Sequence, residues 1–139
     1  MLRIHSLIML LLMTTAMTAA PAADFAVVVA SGSSIQNMAP ERIRDMFLKR
    51  RNFEGDIKLV PVNPLGEDQL RRQFEQAVLQ MNRDDVNRYW TTSHFQGVKP
   101  PITQASLESV KRFVARVDGA IGYIPRSMVD SSMRVLYEF

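Results

Sequence analysis

Two hydrophobic periods take turns along this 139-residue chain. Short apolar runs stand at residues 25–30 (FAVVVA), 57–62 (IKLVPV), 120–124 (AIGYI) and 133–139 (MRVLYEF), each about the length of a β-strand. Between them, apolar residues recur every three or four positions, the spacing of a helix with one buried stripe. Strands alternating with helices predict an α/β fold, in which crossover helices cover the faces of a mostly parallel sheet. The expected architecture is a three-layer sandwich with a four-stranded sheet. Residues 25–30 carry no polar side chain, so they are expected to be central and covered on both faces, as in a parallel sheet.

Four helices are expected. Pro40 suits a first helical turn, with Ile43, Met46 and Phe47 on one face and an end before Asn52. A second helix follows Gly66, its stripe formed by Leu70, Phe74, Ala77, Val78 and Met81, which leaves Arg71, Arg72 and Glu75 off the buried face. Arg71 and Glu75 are four apart and can pair. Asn82 caps a third helix carrying Val86, Tyr89 and Trp90, and Ser106 caps a fourth carrying Leu107, Val110, Phe113, Val114 and Val117, with Gly119 just past its end. Residues 30–38 and 96–103 read as loops. Pro61 cannot donate to a ladder, so an edge or strand-end position is expected there.

The first residues do not enter this count. A basic start at Met1 to Arg3, an apolar core over residues 4–13 and the small residues Ala20, Pro21 and Ala22 predict a secretory signal peptide over residues 1–22. The apolar core is shorter than the roughly 20 residues a membrane span needs. Residues 23–139 are then expected to form one lobe, exported, free of a membrane anchor and most at home in the periplasm. The chain has no cysteine, which excludes disulfides and thiolate metal sites. Without Arg3, 16 basic residues face 14 acidic ones, too even a balance to point to nucleic acid. The local cluster Lys49, Arg50 and Arg51 is a candidate contact for an acidic surface, or a complement to a helix C-terminus.

Four segments, taken together and in this order, carry a resemblance: IRDMFLKRRNF (43–53), VPVNPLGEDQLRRQF (60–74), YWTTSHFQG (89–97) and DGAIGYIP (118–125). The chain resembles the phosphate-binding proteins of ABC transporters, in a short form matching one lobe of their type 2 periplasmic-binding fold. The resemblance implies binding without catalysis, no cofactor, and a site at the turn before the second helix. Family members there resemble RSDGSGT, whose backbone N–H groups and hydroxyls grip phosphate. Laid onto this chain, the arginine falls on Asn63, the glycine on Gly66, the serine on Glu67, the next glycine on Asp68 and the threonine on Gln69.

These departures matter physically. A helix N-terminus attracts anions through free N–H groups and a partial positive charge, but Glu67 and Asp68 place carboxylates where the anion would dock. Arg71 and Arg72, a turn further on, are expected to point away from the helix tip. A second candidate is the loop after the first strand, with Ser31, Ser33 and Ser34, because ligands of open α/β sheets bind beyond the carboxyl ends of strands.

No catalytic or metal residues are assigned. His94 is the one histidine outside the leader, Asp84 and Asp85 point about 100° apart on a helix, and neither GxGxxG nor a P-loop is present. Two functions remain. One is a binding protein holding a small anion or polar solute at Asn63 to Gln69 and the serine loop. The other is a lobe without solute that contacts an envelope or transporter protein, with the Lys49 to Arg51 cluster and Tyr123 as candidate contacts.

Overall fold

The computed structural model describes residues 16, 19, 23–66 and 68–139. The leader expected over residues 1–22 therefore lies outside the described residues, apart from isolated Ala16 and Ala19, and so does Glu67.

The elements in chain order are β1 (Phe25–Ala30), α1 (Pro40–Phe47), β2 (Phe53–Glu54), β3 (Ile57–Lys58), β4 (Val60–Pro64), α2 (Gln69–Phe74), α3 (Arg83–Phe95), β5 (Ile102–Gln104), α4 (Leu107–Arg116), β6 (Ala120–Pro125) and β7 (Met133–Glu138). A π-helical turn, Glu75–Leu79, extends α2. The main sheet runs in the order β5-β4-β6-β1-β7, while β2 and β3 form a separate hairpin. β4 is parallel to both β5 and β6, and β1 is antiparallel to both β6 and β7. Four of the five strands therefore point one way, and β1 alone runs against them.

Two apolar layers sandwich this sheet. On one face, Val27, Val29, Ile121 and Tyr123 pack with Ile43, Met46 and Phe47 of α1, Leu70 and Phe74 of α2, and Val86 of α3. On the other, Ala26, Val28, Val62 and Ile124 pack with Val110 and Val114 of α4. A Cβ at Gly122 would come within 3.0 Å of Val114, so β6 lets α4 lie close. Gly119 is more constrained. Its φ of +77° is left-handed, and a Cβ there would meet the Lys58 carbonyl at 2.0 Å while its own carbonyl accepts from Val60 N at 2.9 Å.

Three expectations change and a fourth, at Pro61, is met. The sheet has five strands, because Ile102–Gln104, inside and beyond the segment read as a loop, pairs with β4. Three residues are too few to display a period of two. The run 57–62 is two elements: Ile57 and Lys58 pair with the hairpin, and the sheet strand starts at Val60. β1 is interior and buried on both faces, as its composition requires, but both of its neighbours are antiparallel. Pro61 takes the expected strand-end position, though in an interior strand, since β5 covers β4 only from Val62 onward.

Candidate functional site

The carboxyl ends of β4 and β6 lie side by side, and the chain leaves β4 there to enter α2. Gly66 takes a φ of +101° there, a value open to glycine, and Leu65 beside it is 64 % exposed. Asp68 is the N-cap of α2: its Oδ1 accepts from Arg71 N at 3.1 Å, so one of the free helix-start donors is already taken. Gly66, Asp68 and Gln69 are exposed, and Asn63 is buried at the end of β4.

Beneath the turn, polar groups satisfy one another. The Tyr123 hydroxyl donates to Asn63 Oδ1 at 2.8 Å, and the Tyr123 ring stacks on Phe74 with centroids 3.8 Å apart. Burial pushes the Tyr123 phenol far above the ordinary tyrosine range; the charge of Arg71 opposes that shift and the charge of Glu75 adds to it. The Glu75 carboxylate, 3 % exposed, accepts from Arg71 Nε at 3.3 Å and from Arg83 Nη1 in a short contact. Arg71 also donates to the carbonyls of Pro64 and Gly66 at 3.4 and 3.3 Å. Asn63, Arg71, Phe74, Glu75 and Tyr123 line part of a cavity of about 10 Å³, room for one water. A tetrahedral oxyanion is larger than that.

Two sequence expectations are corrected here. Glu75 is not on the solvent side of its helix but is almost fully buried, where Arg71 of its own helix and Arg83 of α3 meet its carboxylate. Arg71 does not point away from the helix tip but folds back over the turn, drawn by Glu75 and the two carbonyls. The pairing of Arg71 with Glu75 is found as expected. The part played by Arg83 is not legible in the sequence, since nothing in its neighbourhood on the chain announces a partner eight residues earlier.

The two candidate halves of the site do not meet. Ala30 lies beyond the level of Gly122, which pairs with Val28, whereas the end of β4 is level with the start of β1. Ser31, Ser33 and Ser34 thus leave the sheet at the end opposite Asn63, about 15 Å away along the strands. The rule of carboxyl ends misleads for β1 because that strand runs backward. The serine loop is tied down by its own contacts: Ser33 Oγ accepts from Ile35 N at 3.2 Å, and Arg134 from β7 donates to the Ser33 carbonyl at 3.2 Å. Tyr123, a candidate contact for a partner, is fully buried and unavailable. Of the basic cluster, Arg50 lies near Asp45 and Arg51 pairs with Glu54. His94 is exposed at the end of α3. Among the described residues, no group of three or more His, Asp or Glu could hold a metal ion, and no helix is long and apolar enough to cross a membrane.

Solved structures give this arrangement a context. The chain superposes on a Clostridium perfringens protein described as a phosphate ABC transporter substrate-binding protein, with phosphate bound, at a TM-score of 0.66 and 17 % identity over 82 % of this chain. It superposes on an ABC-type phosphate transport receptor from Vibrio cholerae (TM-score 0.64, 17 % identity) and on PstS from Borrelia burgdorferi (0.61, 11 %), again over 82 % of its length. The fold is that of one lobe of such proteins. The chain spans 44 to 46 % of their lengths. No family model matches the sequence, and no curated protein matches it.

Proposed function

We propose that this chain is a non-enzymatic binding lobe of the cell envelope whose anion cradle is closed from within, so that it works by docking onto another protein. The observation that carries this reading is the Glu75 carboxylate, held by Arg71 and Arg83 beside a cavity no larger than a water. An internal carboxylate occupies the cations that an external anion would need, and displacing it would strand a buried charge. The signal-like start of the chain supports export to the periplasm, and a protein of the envelope or a transporter is the partner class this location offers.

The phosphate-bound Clostridium perfringens neighbour favours a second reading, a small anion held at Asn63, Gly66, Glu67, Asp68 and Gln69. The two separate by native mass spectrometry of the protein purified from its own periplasm. Docking predicts a complex with a second polypeptide and no adduct of phosphate mass. A monomer that carries phosphate would overturn it.

A further inference from the structure

A larger recess lies elsewhere, between the C-terminal end of α1 and the outer side of α3. Its volume is about 710 Å³, within the range of small-ligand sites, and its lining includes Arg44, Arg50, Arg88, Tyr89 and Ser93. The cations differ in how they are matched. Arg88 is held by Asp85 in a short contact, and Arg50 lies 3.7 Å from Asp45. Arg44 has a buried Nε with no hydrogen-bond partner among the described residues. The lining therefore holds three guanidinium groups and one carboxylate, Asp85, and Arg44 is the least exposed of the three cations.

The recess is also held in shape. Tyr89 donates its hydroxyl to the Leu48 carbonyl at 2.7 Å, which anchors the ring, and the Arg50 guanidinium rests 5.4 Å above that ring. Ser93 is buried at the floor. Fixed donors around an unmatched guanidinium lose little freedom on binding an oxyanion, and planar guanidinium forks suit carboxylate and phosphate groups. Arg44 is half-buried and lines the recess, and a partly desolvated guanidinium gains from acquiring an oxyanion partner.

We propose that this recess binds a small organic or inorganic polyanion, one bearing at least two phosphate or carboxylate groups, with Arg44 as the central ligand and Arg50 and Arg88 at the rim. The site is independent of the cradle under the β4–α2 turn and stands whether or not that cradle takes phosphate.

Calorimetric titration of the full chain with inorganic pyrophosphate and with citrate tests this. At least one probe is expected to bind with a Kd below about 1 mM. Arg44→Gln should weaken it about tenfold or more, and Arg88→Gln, at an exposed position that leaves folding intact, should weaken it severalfold. Arg116→Gln, on α4 across the sheet, should leave it within about twofold. Pyrophosphate binding alone would specify phosphate oxyanions as the class, and citrate binding alone carboxylates. Silence with both probes, or binding that survives in Arg44→Gln and Arg88→Gln, or falls equally in Arg116→Gln, would overturn the proposal.

Discussion

Glu75 is the residue on which the interior of the cradle turns. Its carboxylate is almost fully enclosed, and the two arginines that hold it are only partly exposed. Removing one member of such a group leaves the others charged and desolvated. Glu75→Gln should therefore lower the unfolding free energy by about 2 to 3 kcal/mol, somewhat below the ~3–5 kcal/mol seen when a fully enclosed pair is broken. Glu54→Gln, which disturbs the more exposed pairs to Arg42 and Arg51, should cost within about 1 kcal/mol. Urea denaturation of both variants decides, and equal losses would remove Glu75 from its assigned place. Tyr123 makes a second prediction at this scale. Its phenol holds its proton more firmly in the folded chain than in the unfolded one, so the folded state binds the extra proton as pH rises past about 10, where an unfolded tyrosine ionises. Stability should be complete below that pH and fall above it. In an alkaline titration followed by tyrosinate absorbance, one of the three tyrosines should ionise only together with unfolding; three ionisations that precede unfolding would contradict the burial argument.

At the scale of elements, the turn into α2 depends on its cap. Asp68→Ala should cost about 1 kcal/mol and Asp68→Asn much less, because asparagine caps as well as aspartate, and thermal unfolding distinguishes them. The junction from α4 into β6 depends on Gly119. Gly119→Ala should cost at least about 2 kcal/mol, from the left-handed backbone and the collision with the Lys58 carbonyl together. These junctions also mark what the sequence made legible. The cap residues Asn82 and Ser106, the stripe of α4 and the doubly covered FAVVVA strand follow from side-chain type and local spacing, and each is where those signals put it. The direction of β1 was not legible, since an apolar run has the same composition whichever way its neighbours point. Nor was β5, which owes its existence to the exposed ladder of β4 and not to its own three residues. The burial of Glu75 was not legible because a carboxylate sits inside only where cations meet it, and Arg83 reaches it from the next helix. The serine loop was misplaced for the same reason as β1.

For the whole molecule, the chain has the fold of one lobe of its structural neighbours and spans 44 to 46 % of their lengths. Polar groups around the β4–α2 turn already have partners: Asp68 caps the helix, Asn63 is engaged by Tyr123 and Glu75 by both arginines. The account therefore stands on the cradle being full. Titration calorimetry with inorganic phosphate measures this most directly. The unmodified chain should give no saturable heat up to about 1 mM phosphate, the concentration that corresponds to roughly 4 kcal/mol of binding. A saturable isotherm below that concentration, lost on Asn63→Ala and kept in Arg44→Gln, would contradict the account by showing that the turn between β4 and α2 still holds an anion.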